Sequence, residues 1–474
     1  MKKMKIELLG GTTKEELENR IRNIAAAGKL SRFPGNVFEV LESCNDYEKN
    51  LKMVGRIIKM GHKSIIEHDY LVFAICDVTP IIEQTIIESR LTSFTIKSRR
   101  EVDFRNVGYY IPDFRNEKNE IHKDNKILQE KYKEQMKYLF NEYADLVDAG
   151  IKTEDARFIL PYSYHSNIIM GLDGRELEKL IMYLISGKVS NIAECKELGN
   201  KLFEICKVSV PYLVDTINES MEKSKDENQC KENIMDYINN NITQTPKIQI
   251  LNEPKIVSYT PNPDDVIIES AVMYSYQCSK LEADKIIETA VNNDNNFKEN
   301  LMKMILKKDE TRELEQVNFS FQIPISLAIL THLTRHRTHS LLVPDFAPMW
   351  DLTNYIIPSS MQKDKKKIDE IFSKNKKVRD EFKQLGVKEE DLIYFYLGGN
   401  MCNVLTTMNG RTLQWISRMR CCNKAQWQIR QIFQSIVKQV KEIAPLYGKG
   451  LGPTCETEGI CNEGKESCGK IKSI

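Results

Sequence analysis

Residues 330–340 read Leu-Thr-His-Leu-Thr-Arg-His-Arg-Thr-His-Ser. Arg335, His336 and Arg337 put at least two fixed positive charges on consecutive residues, so their side chains diverge and cannot share one surface partner. A polyanion or a multi-pronged phosphate ligand would engage all three. A structural reading stands beside this one. Ile325, Leu327, Ile329, Leu330 and Leu333 precede the cluster at near-helical spacing, and Pro324 suits a first helical position, so the cations could simply answer a helix dipole. A histidine metal site at His332, His336 and His339 lacks an adjacent carboxylate. A second candidate lies at the end of the chain. Cys455, Cys461 and Cys468, among glycines and a proline, could ligate zinc or an iron-sulfur cluster with Cys421 or Cys422 as fourth donor. Their spacing matches no standard pattern, and reduced thiols or a redox disulfide fit the same residues.

The elements that must position these groups are bounded by composition. A chain of 474 residues allows two or three domains, and 68 basic against 67 acidic residues leave a net charge of +1. No global field draws such a chain to nucleic acid or to a membrane surface, so any anion site is local. The basic cluster also lacks the interleaved aromatics of a nucleic-acid platform. Met1-Lys2-Lys3-Met4-Lys5 is followed by too few apolar residues for a signal-peptide core, and no apolar run approaches the roughly 18 residues of a membrane span. A cytoplasmic protein with free thiols is expected.

The chain repeats itself in order. Arg90-x-x-Ser93 matches Arg337-x-x-Ser340, Asp173-Gly174-Arg175-x-Leu177 matches Asn409-Gly410-Arg411-x-Leu413, and Ala193-Glu194 matches Ala425-Gln426. The domain-sized spacing implies a tandem duplication. The expected divisions are a first domain over 1–222, a polar linker over 223–245, a second domain over 246–450 and a cysteine-containing tail over 451–474. A charged segment at about 362–390 reads as a solvated helical excursion from the second domain. Long helical patterns at Glu176–Leu184 and Gln426–Ile443, with short β-branched runs at Tyr70–Cys76 and Val317–Ile323, predict an α+β fold, helix-rich with small central sheets.

Several motifs resemble those of the flavin-dependent thymidylate synthases. Arg335-His336-Arg337-x-x-Ser340 is similar to the first half of that family's signature, R-H-R-x-x-S-x-N-E-x-S-x-R-Y. Gly61-His62-Lys63-Ser64-Ile65-Ile66-Glu67-His68 resembles the segment that precedes it. In the first copy Arg90, Ser93, Ser98 and Arg100 fall on the signature, whereas Glu88-Ser89 replace its leading Arg-His and Thr95-Ile96 its Asn-Glu. Tyr109-Tyr110-Ile111-Pro112 and Ala156-Arg157-x-x-Leu160-Pro161 resemble later family motifs. Asn409-Gly410-Arg411-Thr412-Leu413, Arg420 and Ala425-Gln426-Trp427-x-Ile429-Arg430 form the most specific match in the chain.

The resemblance implies FAD as cofactor, methylenetetrahydrofolate as one-carbon donor, NADPH as reductant and a pyrimidine nucleotide, dUMP in the family, as substrate. It assigns His62, Ser64, Glu67, Arg335, His336, Arg337, Ser340, Asn409 and Arg411 to the flavin. Ser98 and Arg100 would face the pyrimidine as the catalytic pair, and Arg420 would grip the phosphate, where the first copy has Leu184. His336 is expected to tune flavin charge by titrating near neutrality. Each copy has lost what the other keeps, which implies a composite site between unlike copies and a homodimer standing in for the family's tetramer. The competing reading is a non-catalytic nucleotide-binding, flavin-binding or scaffold protein descended from a synthase.

Overall fold

A computed structural model describes residues 3–10, 14–227, 234–244, 249–346 and 352–471. Of the expected linker, 228–233 and 245 lie outside the described residues. Each repeat runs through the same elements. In the first these are β1 (Lys5–Leu8), β2 (Tyr70–Val78), α1 (Pro80–Glu88), β3 (Ser93–Ile96), α2 (Asn125–Asp148), β4 (Ser166–Asp173), α3 (Gly174–Ser186) and α4 (Ala193–Ser209). In the second they are β5 (Lys255–Tyr259), β6 (Asn318–Ser326), α5 (Leu327–Thr334), β7 (Ser340–Leu342), α6 (Lys365–Gln384), β8 (Met401–Asn409), α7 (Gly410–Arg420) and α8 (Trp427–Ile443). The sheets are antiparallel, four-stranded and of one topology, β1-β2-β4-β3 and β5-β6-β8-β7. The fold is therefore α+β, with two copies of one domain type. No described helix is long and apolar enough to cross a membrane.

Alternation explains the sheets. Leu71, Phe73 and Ile75 of β2 are buried while Tyr70 is exposed, as a strand with one face on a core requires. Phe319, Phe321, Ile323 and Ile325 repeat the pattern on β6. Pro324 corrects one expectation, because it lies inside β6 and the helix opens three residues later, with Ser326 as N-cap. A proline is tolerated there because the partner strand β5 reaches only to Gln322, leaving that side of Pro324 unpaired.

The contacts divide the chain into two compact units. The first contains 1–248, 346–348 and 357–398, and the second 249–345, 349–356 and 399–474. The expected solvated excursion at 362–390 is thus corrected. Its helix α6 buries Ile368, Ile371, Phe372, Asn375 and Phe382 within the first unit. Gln135 of α2 donates to Asn375 at 3.3 Å, the Phe114 and Phe382 rings meet edge to face at 5.0 Å, and Arg115 forks onto Asp391. The helix is the second repeat's counterpart of α2. Both end at a glycine with positive φ, Gly150 at 90° and Gly386 at 85°, and Ile151 and Val387 close the same backward hydrogen bond, to Leu146 and Phe382.

Candidate functional site

In the second unit the basic triplet sits where α5 ends. Arg335 is its C-cap, and the chain turns through Arg337 and Thr338 before β7 begins at Ser340. The turn sorts the three side chains, leaving Arg335 and Arg337 exposed and His336 buried. Arg420, at the end of α7, donates from Nε to His336 Nε2 at 2.8 Å and from Nη2 to the His332 carbonyl at 3.0 Å. The imidazole therefore accepts at Nε2 and carries its proton on Nδ1. Burial, then the charge of Arg420, then His339 and Arg335, push its pKa down to about 2. His336 is a neutral acceptor across the physiological range, which corrects the expectation of a group titrating near neutrality. Arg420 braces the triplet from behind with two of its donors. Trp415, half exposed on the same helix, meets the His336 ring edge-on at 5.3 Å.

Asn409 and Arg411 stand at the start of α7. The Asn409 side chain caps it by accepting from Thr412 N at 2.8 Å, and Arg411 pairs with Glu315 at 2.8 Å. The first unit repeats both contacts. Asp173 caps α3 through Glu176 N, and Arg175 pairs with Glu67. Glu67 therefore has a structural partner, while His62 and Ser64 are exposed on the same short segment, near Gly61 at φ 90°. The recurring Arg–Glu pair joins each arginine to Glu67 or Glu315, which stand at equivalent places in the two repeats.

The loop after β3 carries Ser98, Arg99 and Arg100 in the first unit. Ser98 Oγ accepts from the Arg100 amide at 3.2 Å, and the Arg100 guanidinium meets Glu154 at 2.6 Å. Arg99 is buried, bonded to Glu83 at 2.6 Å and to the Tyr164 hydroxyl. Close to both lies Arg157, which sequence reasoning noted in a motif without giving it a role. It is 3% exposed, donates from Nε to the Glu154 carbonyl at 3.0 Å, and keeps a buried Nη2 with no hydrogen-bond partner. Burial first, and then the like charge of Arg99, bring its pKa down to about 9. A buried donor without an acceptor costs on the order of 1–3 kcal/mol. Such a group calls for an explanation, whether stored strain, an ordered water or a ligand.

The tail cysteines do not assemble. Cys461 contacts Ser467 Oγ at 3.4 Å, and Cys468, exposed, accepts from Asn423 at 3.6 Å. The Lys470 amide and then Asn423 lower the Cys468 pKa, whereas burial lifts Cys421 to about 12 and also raises Cys455. Cys422 is half-buried and unbridged. Among the described residues no group of three or more His, Cys, Asp or Glu could hold a metal ion. Ion pairs fix the tail to its own unit, Arg418 to Glu458 at 2.6 Å and Lys424 to Glu466 at 3.0 Å.

The chain is similar to several known proteins. A flavin-dependent thymidylate synthase of Clostridium tetani is 31% identical over 243 residues, covering 46% of this chain and 94% of the relative. The enzyme of Geobacter sulfurreducens is 31% identical over 168 residues, 34% of this chain and 72% of the relative. A solved UMP/dUMP methylase from Streptomyces cacaoi aligns with TM-score 0.38 and 18% identity, covering 46% of this chain and 96% of that one. The family described as thymidylate synthase complementing protein matches residues 14–212 and again 255–446, and with each match holding one four-stranded sheet, this chain belongs to that family as a tandem pair.

Proposed function

We propose that the chain is a flavin-dependent enzyme acting on a pyrimidine nucleotide, by methylation of the dUMP-to-dTMP type or a diverged form of it, with methylenetetrahydrofolate and NADPH as co-substrates. Family membership supports the reaction class, and the observation that carries the nucleotide is Arg157. A buried guanidinium with an unused Nη2, close to Arg99 and Arg100, is a prepared donor for a ligand oxygen. Ser98 and Arg100 would hold the base beside it. FAD, when bound, supplies hydride chemistry. The second repeat offers residues that fit its anionic phosphates and planar ring: exposed Arg335 and Arg337, half-exposed Trp415, and the neutral His336 held in place by Arg420. Ser340, Asn409 and Arg411 would complete that set. Both sets serve one reaction in this reading, with two chains supplying what four supply in the family.

The test is purification followed by visible spectroscopy, then turnover of dUMP with the folate and NADPH. Bound flavin that is lost in Arg335→Ala/Arg337→Ala, with turnover reduced at least a hundredfold in Ser98→Ala, is the expected outcome. Flavin content and turnover indifferent to both variants would refute the reading. Nucleotide binding without flavin or turnover would point to the non-catalytic alternative.

A further inference from the structure

The first repeat carries a cavity of about 700 Å³ at the place where its basic triplet has been replaced. Counted back from Ser93 and Ser340, which open β3 and β7, Glu88, Ser89 and Arg90 occupy the positions of Arg335, His336 and Arg337. They line the cavity with Glu176, Leu180 and Tyr183. Its size lies within the roughly 300–1,000 Å³ of small-molecule sites. At the helix facing it, the second repeat has Trp415 and Arg420 where the first has Lys179 and Leu184, so the Arg420 guanidinium has no counterpart here, while Lys179 and Arg90 stay in the lining.

The remaining charges are unequally satisfied. Glu176 is tied to Lys179 in an ion pair and lies within 3.4 Å of Ser89 Oγ. Glu88 is exposed, and among the described residues its carboxyl accepts from the neutral amide of Gln84, at 2.8 Å. Although the residue is exposed overall, desolvation of its carboxyl raises its pKa, and Gln84 and then the charge of Lys188 lower it in part. Leu180 and Tyr183 give the walls an apolar, partly aromatic character. Arg90 is at the exposed rim.

We propose that this cavity is a binding site for a small organic cation, a protonated amine or amidine on a planar or apolar body, with Glu88 as its counter-ion. The two repeats then select ligands of opposite charge at equivalent positions. The proposal does not depend on the reaction assigned above.

The probe is 4-aminobenzamidine, titrated calorimetrically into the full chain, with 4-aminobenzoate as the anion of matched shape. Saturable amidine binding, weakened at least tenfold by Glu88→Gln and abolished by Leu180→Trp, which fills the cavity, is expected, with no benzoate binding. Both variants should keep the wild-type melting temperature within a few degrees, and Glu88→Gln retains the Gln84 contact should Leu180→Trp fail to fold. Absence of saturable amidine binding, equal binding of benzoate, or amidine binding indifferent to Glu88→Gln would overturn the proposal.

Discussion

Arg157 separates a functional from a structural role by the sign of two measurements. A guanidinium buried for packing alone would lose stability on removal, typically by about 3 kcal/mol or more when a charge pair is broken. Here one nitrogen is unpaired and two other arginines repel the charge. Arg157→Gln is therefore expected to leave the melting temperature unchanged or higher, while weakening nucleoside monophosphate binding about 10- to 100-fold, or about 1.4–2.8 kcal/mol, in a calorimetric titration. His336 gives a second residue-scale outcome. Its ring resonances should not titrate between about pH 8 and pH 5, because burial and Arg420 hold it neutral. Glu194 gives a third. It is fully buried, accepts from Thr79 N at 2.8 Å and Oγ1 at 2.6 Å, and burial lifts its pKa from 4.5 to about 7. The native state thus holds this proton more tightly than the unfolded chain. The resulting stabilisation is complete below about pH 4.5 and is lost as pH rises through about 7, a span worth about 3 kcal/mol. Glu194→Gln, the residue type of Gln426 in the other repeat, should flatten that slope and raise the melting temperature at about pH 8.

At the scale of elements, α6 shows how charge can mask a core helix. Lysines and acids crowd 363–383, and the mean polarity suggests an exposed excursion. The buried stripe of Ile368, Ile371, Phe372, Asn375 and Phe382 follows helical spacing, and the sequence around Gly386 mirrors that around Gly150. Both signals were present, but the repeat Gly-Ile-Lys-x-Glu-Asp against Gly-Val-Lys-x-Glu-Asp is short enough to pass unnoticed. Phe382→Ala should cost about 3–4 kcal/mol, measured by denaturant unfolding, since the rings of Phe114 and Phe395 pack against a fully buried side chain. Deleting 362–390 should abolish cooperative folding of the first unit, where a solvated excursion could be removed freely.

At the scale of the molecule, the compact units do not coincide with the halves of the sequence. The first unit takes 357–398 from the later repeat, with Asp391 paired to Arg115 and Tyr394 bonded to Glu194 at 3.3 Å. Residues 1–248 expressed alone should therefore give a non-cooperative melt by circular dichroism, and co-expression with 249–474 should restore a cooperative transition. A sharp melt from 1–248 alone would contradict this expectation.

By itself the sequence determined the duplication, the α+β class and the central strands β2 and β6, because alternation and repeated motifs are local properties that survive divergence. It also singled out Arg335, Arg337 and Arg420 as candidates for phosphate groups and, by resemblance, Ser98 and Arg100 as candidates for a pyrimidine. Tertiary structure alone decided how that chemistry is distributed: that His336 is buried and neutral while its neighbours face solvent, that Arg420 turns part of its guanidinium inward, that Arg157 keeps an unpaired donor, and that α6 folds with the first unit. Each depends on burial and on partners distant in the chain, and desolvation acts on a side chain only once the fold has chosen what surrounds it.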